Sequence, residues 1–187
     1  MIKLEKMSYK QPELDLIAEW RNQSMISLRS SDLTAKGEAQ KRWVESFGPS
    51  EKYYFIYESA KSCPEDSRFY TFLGYCGLDK IDPVNKTAEM GLLINPEQHK
   101  KGYGTKTVKE LLRMAFEDFN LNCIFIEVIH SINNWDFWLK QNFFYEGTLR
   151  ARHFKDNRFC ESRVGSILKE DWKNTIRRNK KENVCFS

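Results

Sequence analysis

What the 187-residue chain lacks narrows it quickly. It has five cysteines, Cys63, Cys76, Cys123, Cys160 and Cys185, odd in number, widely spaced and without a C-x-x-C pair. That spacing argues against a zinc ribbon and a disulfide framework, so they read as reduced thiols that mostly fill the core. The three histidines, His99, His130 and His153, are too scattered to suggest a metal site, and no metal is expected. No apolar run approaches the roughly 20 residues that a membrane span needs. Residues 1–16 hold no continuous apolar segment of the signal-peptide kind. There is no internal repeat and no low-complexity linker. The expectation is one soluble, cytoplasmic domain without a membrane partner.

What is present is apolar and aromatic bulk. Hydrophobic residues make up 41% of the chain, including 13 Phe, 8 Tyr and 5 Trp, which is enough for a core and argues against a disordered chain. The net charge of +4 is uneven, because the last 19 residues hold six Lys/Arg against three Asp/Glu. Residues 173–187 therefore read as a basic C-terminal tail, solvated and frayed, following a domain that spans 1–172. One short basic stretch does not make a nucleic-acid-binding protein.

The pattern along the chain is a meander followed by alternation. A strand over 2–7 precedes a helix that Pro12 opens, with Leu14, Ile17 and Ala18 at helical spacing. A second helix is predicted over 35–47, then strands over 53–58, 69–78 and 87–94. A strongly periodic helix follows Gly104, with Val108, Leu111, Leu112, Ala115, Phe116 and Phe119 on one face. A buried-type strand over 123–129, a helix over 132–141, and strands over 143–154 and 159–168 complete the reading. That order predicts an α/β fold: a twisted mixed sheet of about seven strands flanked by about four helices, antiparallel early with a β-α-β crossover later.

The residues from the fourth predicted strand to the start of the third predicted helix carry the chemistry. In Glu89-Met90-Gly91-Leu92-Leu93-Ile94-Asn95-Pro96-Glu97-Gln98-His99-Lys100-Lys101-Gly102-Tyr103-Gly104-Thr105, a strand gives way to a basic loop and a helix start. Two glycines one residue apart let the backbone approach a ligand, and the helix start offers unpaired N–H groups and the positive end of its dipole. Lys100 and Lys101 add charge, so the loop suits a pyrophosphate. A P-loop is excluded because G-x-x-x-x-G-K-[ST] is absent, and the dinucleotide fingerprint fails because Thr107 stands at its third glycine.

This segment resembles the R/Q-x-x-G-x-G/A signature of the Gcn5-related N-acetyltransferase (GNAT) superfamily. Glu89-Met90-Gly91-Leu92, Glu19-Trp20-Arg21-Asn22, Leu168-Lys169-Glu170-Asp171-Trp172 and the stretch 142–150 are similar to the branch acting on ribosomal-protein N-termini, polyamines and amino sugars. The resemblance covers roughly residues 1–172. It implies acetyl-coenzyme A as co-substrate, held by His99, Lys100, Lys101, Gly102, Tyr103, Gly104 and Thr105. His99 stands where the signature usually has Gln or Arg, with Gln98 just before it. The resemblance further implies that the backbone of Leu92, Leu93 and Ile94 pairs with the pantetheine arm, and that Asn133 or Asn134 bonds coenzyme A; helix capping is the plainer role for those two. Many members place a tyrosine five residues before the position of Phe143 to protonate the leaving thiolate. Here that residue is Trp138, whose indole does not titrate usefully.

An amine attacks a thioester only as its free base, so such a transferase benefits from a general base. Glu89 is at the family's frequent position for one, with a structural carboxylate as its competing role. Tyr145 and His130 are weaker acid–base alternatives, and Trp20, Trp43 and Phe47 read as helix packing. The expected function is direct transfer of acetyl to a primary amine of a small molecule (amino sugar or nucleotide sugar, polyamine or aminoglycoside) or of a peptide N-terminus. The alternative is a degenerate domain that binds coenzyme A but serves regulation or nucleic-acid contact. Pairing into a homodimer is left open.

Overall fold

The structure is a computed structural model, and it describes residues 1–22, 38–59, 70–129, 135–155 and 157–184. Seven strands form one sheet: β1 (Ile2–Lys6), β2 (Lys52–Ser59), β3 (Tyr70–Asp82), β4 (Thr87–Ile94), β5 (Cys123–Ile129), β6 (Phe144–Lys155) and β7 (Arg158–Leu168). Their order is β1-β2-β3-β4-β5-β7-β6. Every neighbouring pair is antiparallel except β4 and β5, which are parallel and joined by the crossover helix α3 (Tyr103–Arg113). The predicted strands are all present, and the mixed sheet with its single crossover follows the expected order.

Two clusters of buried side chains lie on opposite faces of the sheet. One gathers Ala88, Met90, Ile124, Ile126 and Ile167 with Val108, Leu111 and Leu112 of α3 and with Trp135 and Trp138 of α4 (Trp135–Leu139). The α3 contribution follows from its 3.6-residue apolar spacing; each fully buried side chain of this kind contributes roughly 1.5–3 kcal/mol. After Arg113 the helix widens into a π turn over Met114–Asp118, which keeps Ala115 and Phe116 buried. The other cluster packs Leu14, Ile17 and Trp20 of α1 (Gln11–Asn22) against Phe55, Tyr57 and Leu93. Beside it lie Trp43, Val44 and Phe47 from α2 (Glu38–Glu45) and the turn after it. Odd-numbered positions of β4 therefore face α1, and even-numbered ones face α3, as strand alternation requires.

Three boundaries differ from the sequence reading. Strand β3 continues to Asp82 by way of a bulge between Asp79 and Asp82, where a turn is expected from Ile81. Of the helices predicted over 35–47 and 132–141, the described parts are helical over Glu38–Glu45 and Trp135–Leu139. The last difference is larger, because Lys169–Val184 forms a fifth helix, α5, in place of a frayed tail. Trp172 packs on the Phe116 ring at 5.4 Å, and Asp171 Oδ2 accepts the Leu168 N–H at 3.2 Å. Glu170 and Asp171 in the first turn suit the positive end of the helix dipole. With so few apolar residues, this helix carries little periodicity to read.

Candidate active site

The central feature is a split in the sheet. Strands β4 and β5 pair only through Thr87↔Cys123, Ala88↔Ile124 and Glu89↔Phe125. Beyond Glu89, β4 stays with β3 as far as Ile94, while β5 stays with β7 as far as Ile129. The two parallel strands diverge, and backbone groups of β4 that would face β5 have no strand opposite them. A cleft of about 1020 Å³ fills the gap, walled by Met90–Ile94 on one side and Ile126–Ile129 on the other.

At its basic end, the cleft is closed by the start of α3. Gly102, at the N-cap, has φ +81°, a left-handed conformation that glycine adopts without a Cβ penalty. No side chain caps this terminus, so the first-turn amides face the cleft with the positive end of the dipole behind them. A Cβ on Gly104 would sit 3.2 Å from the Phe137 ring and 3.8 Å from Leu92, so glycine there keeps the passage between helix and strand open. Gln98, His99, Lys100, Gly102, Tyr103, Gly104 and Thr105 line this end. Lys101 does not; its Nζ donates to Gln98 Oε1 at 2.9 Å. His99 Nε2 lies 3.0 Å from the Ile94 carbonyl oxygen and ties the loop to the end of β4. Tyr103 donates its hydroxyl to Glu58 Oε2 at 2.5 Å, which raises the phenol pKa. Thr105 Oγ1 accepts from Gln141 Nε2 at 3.3 Å. Leu92, Leu93 and Ile94 all line the cleft, their backbone beside the gap. An uncapped helix start, an open glycine passage and a strand edge without a partner fit the diphosphate and amide-bearing arm of coenzyme A.

The other end is built from side chains. Register places Tyr75, Gly77 and Asp79 of β3 opposite Leu93, Gly91 and Glu89, and Tyr53 of β2 opposite Gly77. All therefore share one face of the sheet. A Cβ on Gly77 would meet the Tyr53 ring at 2.3 Å, so that ring lies over the glycine, while the space over Gly91 is open. Trp43 packs near Tyr53 and Tyr75 at 5.5 and 5.8 Å between ring centroids, and the Arg21 guanidinium lies 5.5 Å from the Trp43 ring. Tyr53 donates to Asp79 Oδ2 at 3.0 Å.

Glu89 is 3% exposed at the apex of the split, and Lys80 Nζ donates to its Oε2 at 2.7 Å. Further along β5, Glu127 Oε1 receives Ser162 Oγ at 2.7 Å, with His153 Nε2 also at 2.7 Å. Trp138 lines the cleft from α4, 6% exposed, and its indole N–H meets no acceptor among the described residues. Tyr145, on the edge strand β6, is 54% exposed, shares a 2.7 Å hydrogen bond with Thr148 Oγ1, and is not among the cleft-lining residues. His130, Asn133 and Asn134 lie outside the described residues.

Sequence reasoning missed Lys80, Asp79, Tyr53, Tyr75 and Glu127, and it read Trp43 as packing alone. The period-two spacing of Tyr75, Gly77 and Asp79 was visible, but only the strand register turns it into one wall. Among the described residues, no group of three or more His, Cys, Asp or Glu is placed to hold a metal ion.

A sheet split between its parallel strands, with a glycine-bearing helix start below the split and a carboxylate above it, defines an acyl-transfer cleft fed by a diphosphate-bearing carrier. Comparison with known families agrees: residues 4–136 match the acetyltransferase (GNAT) domain, and the chain belongs to that family. It is an acetyl-CoA-dependent N-acetyltransferase. Solved structures with the same fold include the spermidine N-acetyltransferase of Vibrio cholerae in complex with CoA and spermine, at 18% identity, TM-score 0.76, and 91% and 97% of the two chains covered. A dodecameric structure of that enzyme in an intermediate state aligns at 19% identity and TM-score 0.71, covering 93% and 97%. A chimera of the same enzyme aligns at 18% identity and TM-score 0.76, covering 92% and 98%. Among the described residues, no helix is long and apolar enough to cross a membrane.

Proposed function

We propose that the acceptor is a small cationic amine, with a polyamine as the favoured class, and that Glu89 is the general base. The observation that carries this reading is the Lys80–Glu89 contact: a carboxylate buried at the apex of the split holds an alkylammonium at 2.7 Å. Beside it stand Asp79 and the rings of Tyr53, Tyr75 and Trp43, an acidic and aromatic wall of the kind that attracts alkylammonium groups. The spermine seen in the Vibrio cholerae structure supports the same class of acceptor.

Bound acetyl-CoA supplies the activated acetyl thioester. The first-turn amides of α3 and Lys100 hold the diphosphate, and the open edge of β4 orients the arm and polarises the acyl carbonyl through its N–H groups. Glu89 accepts the proton that the attacking nitrogen must lose, directly or through one water. The apolar wall of Ile126, Val128, Phe137 and Trp138 keeps water from the transfer.

Thiol release from acetyl-CoA, measured with spermidine, glucosamine, an aminoglycoside and a peptide N-terminus, tests the acceptor. Spermidine should give the highest kcat/KM; a higher value for the amino sugar or the peptide overturns the polyamine reading. Self-association is part of the proposal, supported by exposed Phe154 and Phe159 on the β6–β7 hairpin and by the oligomer formed by the Vibrio cholerae enzyme. Sedimentation of the full chain as a monomer at micromolar concentration would reject it.

A further inference from the structure

We propose that Lys80 is a self-acetylation site, modified by the chain's own bound acetyl-CoA when no acceptor fills the cleft. The inference rests on the reading of Glu89 as base and of the split as the seat of the acyl group. Among the described residues that line the cleft, the amine-bearing side chains are Lys80 and Lys100. Lys100 belongs to the glycine loop, at the diphosphate end. Lys80 belongs to the apex, with Nζ at 2.7 Å from Glu89 Oε2, where an acceptor nitrogen would have to stand to lose its proton.

The backbone is shaped to put it there. Unbroken alternation would send Lys80 to the face opposite Asp79 and Glu89. The bulge between Asp79 and Asp82 interrupts the alternation, and Lys80 takes φ +50°, a left-handed conformation that a side-chain-bearing residue rarely adopts. Strain held beside a cleft is a mark of a position with a task. The Lys80 side chain is 63% exposed while that of Glu89 is 4% exposed, so the lysine reaches a buried carboxylate from a solvated, movable stem.

The step balances without a further reactant. Glu89 takes a proton from the Lys80 ammonium, and the freed nitrogen lone pair forms a bond to the acetyl carbonyl carbon. The carbon–sulfur bond breaks with its electron pair going to sulfur. The second nitrogen proton leaves through solvent, and the products are Nε-acetyl-Lys80 and coenzyme A. The modification removes the positive charge that pairs with Glu89 and leaves an amide in the acceptor position, so the modified chain is blocked toward external amines.

The test is mass spectrometry of the full chain after incubation with acetyl-CoA and no acceptor. Lys80 should become acetylated at least about a hundredfold faster than the exposed Lys173 of α5, the margin expected of a positioned base. Saturating spermine should protect it, and Glu89→Gln should slow it by a similar factor. Gly104→Val, which closes the cofactor passage, should remove the excess at Lys80 while leaving the slow chemical labelling of surface lysines unchanged. Lys80 labelling at the surface rate, or labelling indifferent to both Gly104→Val and Glu89→Gln, overturns the inference. If the wild-type chain binds coenzyme A by calorimetry and acetylates amines while Lys80 stays unmodified, only this inference fails. If it does not bind coenzyme A, the reading of the cleft beneath it fails as well.

Discussion

The two ends of the cleft are made of different materials. The end proposed for the cofactor is mostly backbone: the open edge of β4, the left-handed Gly102 and the uncapped start of α3. The end proposed for the acceptor is mostly side chains brought together from β2, β3, β4 and α2, with Glu89 at the join. Backbone devices bind what is common to every turnover, and they tolerate many side chains around them. A wall of side chains discriminates among acceptors, and it changes with each substitution. The comparison teaches where to look for chemistry shared with relatives and where to look for what is particular to this chain.

Substitutions at each end should separate the two. Glu89→Gln keeps the shape and loses the proton affinity, so turnover should fall by roughly 10²–10⁴ with coenzyme A affinity unchanged. Steady-state kinetics beside calorimetry check this, and intact turnover with a lowered melting temperature would make the carboxylate structural. Gly104→Val strikes the other end. A branched side chain against Phe137 and Leu92 should displace the cofactor and cost about a hundredfold in kcat/KM for acetyl-CoA, with the fold retained by circular dichroism. Unchanged coenzyme A affinity in a folded variant would move the cofactor elsewhere.

Those two ends were not equally legible in the sequence. The strand order, the crossover and the α3 periodicity came through because alternation and 3.6-residue spacing are local properties. Gly102 and Gly104 could be singled out because glycine spacing beside a helix start is a local pattern, and both line the cleft. Lys80 did not, because its approach to Glu89 depends on a bulge that no local pattern announces. Trp43, Tyr53 and Tyr75 lie far apart in sequence and meet only through strand register and helix docking. Helix α5 was missed for the opposite reason: its anchor is a single aromatic contact, Trp172 on Phe116, within a run of charge.

Smaller effects sharpen the comparison at the boundary and outside it. Trp138→Phe removes a buried N–H that meets no acceptor among the described residues, and turnover should fall by no more than about threefold. Because indole does not titrate, the wild-type rate should rise with pH through one ionisation and then level off. A bell-shaped profile that Tyr145→Phe flattens would assign the acid to Tyr145 despite its place outside the cleft. Removing residues 174–187 keeps Trp172 and should change turnover on a small acceptor by no more than about twofold, as for a surface change. A larger loss in a folded protein would tie α5 to the acceptor site or to assembly.

The parting of β4 from β5 has a consequence for how the molecule moves. Three rungs of a ladder are all that join β1–β4 to β5–β7 within the sheet. Past them, amides of β4 that face the gap pair with no strand among the described residues, so in the free enzyme their protons should exchange with solvent in the time of local opening. A bound arm running along that edge would supply the missing rungs. It would act for a moment as an eighth strand made of something other than protein, and hydrogen–deuterium exchange at Gly91–Ile94 would slow with occupancy while β2 and β3 kept their rates. Each catalytic cycle would then also be a cycle of closing and reopening the sheet.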